Sequence, residues 1–217
     1  MRKLKVVGTA LFLLSLTSAL SAPASAQSGQ LTAESFPVHL EGFQTLAGAN
    51  RFTAFGLVVE CPQATGAGDV GEASETITVF PSNPGPCTAG GFPATITTNG
   101  CDTLLHIGET TMEDRYSGTV DLLCPAGKSI EMHVYASATH SLKLCQYRIF
   151  EQVGLGGGTV TNDTKGHLIL GGAITGITIK KTGLCGAAET QEGIFEGEAT
   201  VVGTNKMEEP VGIQISD

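Results

Sequence analysis

Glu196 and Glu198 flank Gly197, and on an extended strand carboxylates at i and i+2 point to one face. Their separation is then near the roughly 5 to 5.5 Å that retaining glycosidases use. Glu131, His133 and Tyr135 share a face in the same way, so Glu131 can orient His133 as a general base. These two sets are the candidate catalytic groups, of a hydrolase. The chain has no G-x-S-x-G elbow to supply a nucleophile, and a solvated strand face is the simpler reading of both sets. The histidines His39, His106, His133, His140 and His167 are scattered singly, with no H-x-H or H-E-x-x-H spacing, and no C-x-x-C occurs. No metal site and no cofactor are therefore expected. Thr161 to Gly166 and Glu113-Asp114 are the loops closest to a calcium pattern, but they lack its dense acidic spacing.

The cysteines point to a compartment. Arg2, Lys3 and Lys5 precede an apolar stretch from Val6 to Leu20, and Ala24-Ser25-Ala26 supplies the small residues of a cleavage site. Residues 1–26 thus read as a secretory signal, with 27–217 as the mature chain. All six cysteines, Cys61, Cys87, Cys101, Cys124, Cys145 and Cys185, fall in that mature part, and an even number in an exported chain implies disulfides. Asp102 to Ile107 and Gly118 to Leu123 form a candidate hairpin in which facing residue numbers sum to 225. That register sets Cys101 opposite Cys124. The simplest completion is Cys61 with Cys87 and Cys145 with Cys185.

Composition narrows the partners. Without the leader's three cations the chain carries nine basic against 21 acidic residues, a net charge of −12, so nucleic acid is not an expected partner. The mature chain holds 28 Gly and 24 Thr and no Trp, a mix that favours strands and turns. Period-2 alternation recurs in about a dozen runs bounded by Gly, Pro, Asn or Ser. Arg51 to Cys61, Ile130 to Tyr135, His167 to Lys180 with a break at Gly171-Gly172, and Ile194 to Val202 are among them. Gly154 to Gly158 reads as a flexible turn, since the strand-like Thr159-Val160-Thr161 follows where a phosphate loop needs a helix. Pro81 to Pro86 reads as a rigid loop leading to Cys87.

The order EGFQTLAGANRFTAFGLVVEC, NGC, VDLLCPAGKSI and ITGITIKKTGLCG, followed by an acidic strand with Gly193, Gly197 and Gly203, resembles a group of uncharacterised exported six-cysteine β proteins of high-GC Gram-positive bacteria. The resemblance spans most of the mature chain and is most specific from Val120 to Ile130. It implies export and a disulfide-stapled β fold, and carries over no activity and no site residue.

The expected architecture is all-β: an antiparallel β-sandwich, or a barrel-like double sheet, of about 10–13 short strands stapled by disulfides, forming one domain over 27–217 or two packed subdomains. The expected function is a secreted, non-catalytic extracellular or cell-surface module, structural or adhesive, with a cell-envelope component as its candidate partner and no transmembrane segment in the mature chain. Two alternatives stand beside it. One is a β protein binding a small ligand, which an accessible apolar cavity favours and a filled core does not. The other is a hydrolase using the paired carboxylates.

Overall fold

The computed structural model describes residues 28–44, 50–82 and 85–217; the expected signal, 1–26, lies outside them. The chain is all-β. In order the strands are β1 (Gln30–Ala33), β2 (Val38–Gln44), β3 (Asn50–Ala54), β4 (Leu57–Cys61), β5 (Thr65–Val70), β6 (Thr76–Ser82), β7 (Cys87–Ala89), β8 (Phe92–Thr97) and β9 (Asp102–Met112). They continue as β10 (Arg115–Leu123), β11 (Ile130–Tyr135), β12 (Lys143–Ile149), β13 (Gln152–Asn162), β14 (Leu168–Gly183), β15 (Glu189–Thr204), β16 (Pro210–Val211) and β17 (Ile213–Ser216).

The pairing closes twice. One ring runs β15-β2-β5-β6-β9-β10-β13-β14 and returns to β15; the other runs β14-β12-β11-β8-β7-β4-β3-β15 and returns to β14. The two rings follow the same up-and-down order. β2 leads into β3, β4 into β5, β6 into β7, β8 into β9, β10 into β11 and β12 into β13, while the 16-residue strands β14 and β15 serve both rings. Eight long staves therefore close into one elongated antiparallel barrel, most of them interrupted at a common waist, and among the described residues closure leaves no unpaired sheet edge along them. We call the ring containing β2 the first half and the ring containing β3 the second.

Each half has its own core. In the first half, Val38, Leu40, Ile77, Leu105, Val160, Leu168 and Val201 are buried together. In the second, Phe52, Val59, Met132, Val134, Tyr147, Ile149 and Ile179 are. Leu155 and Ile174 pack against both cores and so lie between them. The outer end of the first half is filled by β1 and β17, which pair with each other and bury Leu31, Ile213 and Ile215. The Asn162 side chain clamps this plug: its amide donates to the Ile215 carbonyl (2.8 Å) and its oxygen accepts from the Ile215 N–H (2.7 Å). At the far end of the second half, Phe55 lies 5.8 Å from Tyr147. Lys181 sits 4.6 Å over the Phe55 ring while pairing with Glu189 at 3.2 Å, so its stem closes that end and its charge stays neutralised.

Several sequence expectations need correction. Arg51 to Cys61 is a hairpin rather than one strand, because Phe55 and Gly56 both take positive φ (54° and 71°) and reverse the chain. No break occurs at Gly171-Gly172; β14 runs through. Nor is Gly154 to Gly158 a turn. It lies inside β13, where shifts in register against β10 mark bulges. A Cβ on Gly157 would strike the Ala173 carbonyl oxygen and one on Gly172 the Gly157 carbonyl oxygen, so these glycines let two backbones approach where the staves bend. Among the described residues there are seventeen strands rather than about a dozen, because Arg51 to Cys61 divides in two and β1, β5, β7 and β16 add to the expected set. Of the loop from Pro81 to Pro86, Pro81 and Ser82 belong to β6, and residues 83–84 lie outside the described residues.

Bridges join Cys61 to Cys87, Cys101 to Cys124 and Cys145 to Cys185. The first two sit at the interruptions. Cys61 ends β4 and Cys87 begins β7, while Cys101 precedes β9 and Cys124 follows β10, so neighbouring staves are stapled where their hydrogen-bond ladder is cut. Loops of 23 to 40 residues are closed, and each contributes roughly 3 to 4 kcal/mol in the chain-entropy model. Complete reduction should therefore lower the thermal midpoint by at least about 10 °C. A scan of the reduced protein with free thiols confirmed checks this, and an unchanged midpoint contradicts it.

Candidate functional site

The interior is not filled at the waist. On β2, Val38 and Leu40 face inward and are buried, and the next inward position is Gly42. The same substitution recurs around the barrel: Gly66 follows the inward Gly68 and Val70 on β5, and Gly158 follows Val160 on β13. An eight-stranded barrel is just wide enough for its inward side chains to fill it. Where those side chains are hydrogen atoms, a lumen remains.

Two chambers occupy it. The first, about 280 Å³, extends into the second half among Phe52, Val59, Met132, Ile149 and Ile177. The other, about 210 Å³, extends into the first half among Gly42, Leu105, Leu170 and Val201. Both are walled by Asn50, Thr103, Val120, Ile174 and Phe195. Arg51 and Glu198 are the ionisable lining residues, one in each chamber, and both are exposed. Arg51 pairs with Glu60 at 3.2 Å and is half exposed, so the first chamber reaches solvent beside that pair. Between the rims the wall is apolar, broken by Asn50 and threonines.

Local structure holds this wall in place. β14 shifts register between Ile174 and Ile177. The bulge keeps Ile174 inward in the first half and Ile177 inward in the second, although their numbers differ by an odd step. Leu155 is set by a tie on the outer face. Asp121 on β10 accepts the Gly154 N–H at 2.6 Å and meets His106 Nε2 at 2.8 Å, which locks the β13 bulge to β9 and β10. The Gly154 N–H and then His106 hold the Asp121 carboxyl below its ordinary range.

Of the sequence-derived catalytic candidates, Glu198 stands at the rim of the first-half chamber and Glu196, Glu131 and His133 lie elsewhere. Glu196 and Glu198 are both exposed on β15, with Gly197 turned inward between them. Glu131 and His133 lie on the outer face of β11, where Glu131 approaches His133 at 3.3 Å and Arg148 at 3.1 Å. Lys143 Nζ stands 3.3 Å from the same His133 Nε2, and Tyr135 meets the ring edge-on. Burial first, and Lys143 second, lower the His133 pKa against the pull of Glu131. The set ties β11 to β12 as a strand-to-strand polar clamp. The other histidines also have partners: His39 with Asp69, His106 with Asp121, His167 with Asp163, and His140 stacked on Tyr135.

In the loop from Thr161 to Gly166, one Asp163 oxygen accepts the N–H groups of Lys165 (2.7 Å) and His167 (2.9 Å). Burial pushes its carboxyl up, but these two bonds together with the charges of His167 and Lys165 keep it below the ordinary range, so this oxygen folds the loop. Among the described residues no group of three or more His, Cys, Asp or Glu is placed to hold a metal ion, and no helix is long and apolar enough to cross a membrane.

Sequence reasoning missed the lumen residues themselves. Their signal was present as glycine standing at successive inward positions of otherwise apolar strand faces. No protein-family model, curated protein or solved structure matches the chain.

A carboxyl whose folded pKa is depressed stabilises the fold above its unfolded value, and that stabilisation is lost as pH falls through the folded value. Asp121, with an ordinary value of 3.8, is such a group. Asp121→Asn should therefore flatten the decline of the thermal midpoint on acidification from about pH 5 to pH 2. Equal declines in variant and parent contradict the tie.

Proposed function

We propose that this is an exported, non-enzymatic binding protein for a small apolar ligand, held inside the waist of the barrel. The observation that carries this reading is the pair of chambers walled by Phe52, Met132, Ile149, Ile174 and Phe195. Ligand sites are mostly apolar concavities with a few polar groups to orient what enters, and here Asn50, Thr98 and Thr103 are those groups. A filled core would have favoured the purely structural or adhesive module instead. The lining also speaks for an apolar ligand over a saccharide, because among the described residues its aromatic side chains are Phe52 and Phe195 alone. Three disulfides suit an oxidising compartment.

N-phenylnaphthylamine, a neutral apolar fluorophore, should be taken up saturably by the oxidised protein with a blue shift. Ile174→Trp, which fills the wall common to both chambers, should weaken that uptake by about tenfold or more, or 1.4 kcal/mol. A fluorescence titration with the fold monitored by circular dichroism decides the matter. No saturable uptake, or equal uptake by a folded Ile174→Trp variant, overturns the proposal.

A further inference from the structure

Resting on that reading, we propose that the two chambers form one channel along the barrel axis, and that its ligand is a single unbranched hydrocarbon chain, as in a fatty acid or an acyl ester. The chambers share their wall at Asn50, Thr103, Val120, Ile174 and Phe195, so the space passes through the waist rather than ending at it. They extend in opposite directions, one toward Met132 and Ile177 and the other toward Leu105 and Val201. A lumen enclosed by eight strands is narrow. Its length therefore comes from crossing between the halves, and a flexible chain follows such a path through both chambers where a rigid ring system is held within one. The charged lining residues Arg51 and Glu198 are exposed, so a polar head stays at the rim while the methylenes occupy the apolar stretch.

Gly42 provides the test, because it lines the first-half chamber and not the other. A Cβ there would stand 3.6 Å from the Gly66 oxygen and from Val201 Cγ2, ordinary contact distances, so a side chain enters the chamber without displacing backbone. Octanoate, laurate and palmitate, and their methyl esters, are titrated against bound N-phenylnaphthylamine. For the parent protein, affinity should rise by about fourfold per added methylene, from roughly 0.8 kcal/mol each, through lengths that outgrow either chamber, with one chain bound per protein. Gly42→Leu should weaken palmitate by about tenfold or more, and by a clearly larger factor than it weakens octanoate. Whichever of acid and ester competes better identifies the source of the chain, and it must show that loss.

Should Gly42→Leu not fold, Gly42→Ala gives the same selective loss at about two- to fourfold. Palmitate binding that ignores Gly42→Leu, or two octanoates bound per protein, makes the chambers independent and overturns the channel while the apolar-site reading stands. Fluorophore uptake that no unbranched chain displaces overturns the ligand class. Absence of fluorophore uptake overturns the underlying reading itself.

Discussion

Closure of eight staves onto themselves is the constraint from which the other features follow. A closed antiparallel barrel fixes its own width, so the only freedom left to the sequence inside is the size of the inward side chains. Toward the two ends those side chains are Val, Leu, Ile, Met and Tyr, and two cores result. At the waist Gly42, Gly66 and Gly158 take their place, and the ring of hydrogen bonds holds the staves around them. The lumen is thus a consequence of closure combined with missing side chains.

Such a waist is weak for the same reason that it is hollow. Most staves are interrupted there, which removes ladder hydrogen bonds, and the interior contributes little packing in return. Covalent and polar ties gather at that level. Cys61–Cys87 and Cys101–Cys124 staple adjacent staves at their breaks; Asp121 joins β9, β10 and β13; Asn99 donates to the Ser129 carbonyl at 2.9 Å across neighbouring connections. β14 and β15 pass through uninterrupted and pair with each other along both halves. The ends are secured differently, by β1 and β17 at one and by the Phe55, Tyr147 and Lys181 packing at the other.

Much of the architecture was legible because it rests on local pattern. Alternation in Ile130 to Tyr135 marks a strand with Met132 and Val134 inside, and the sum of 225 describes the register from Asp102–Leu123 to Ile107–Gly118. Closure was not legible, since the pairings of β15 with β2 and β3 join residues more than a hundred positions apart and nothing local announces them. Glycine misled for a physical reason. Gly154 to Gly158 and Gly171-Gly172 carry the composition of turns, yet here glycine relieves a close approach between paired strands. The acidic and histidine pairs drew notice because their residue types are chemically active, whereas the apolar wall is built from residue types found in any core. Only the placement of glycine within the alternation sets it apart.

Entry of an apolar chain into the waist is the decisive event. Methyl-resolved NMR of the oxidised protein titrated with laurate reports this directly. Shifts are predicted for the methyls of Ile96, Ile149, Leu155, Leu170, Ile174 and Ile177, which wall the chambers, with Leu31 and Ile213 in the end plug unmoved. Shifts confined to exposed Leu142, Val153 and Leu184, or no shifts at all, contradict it.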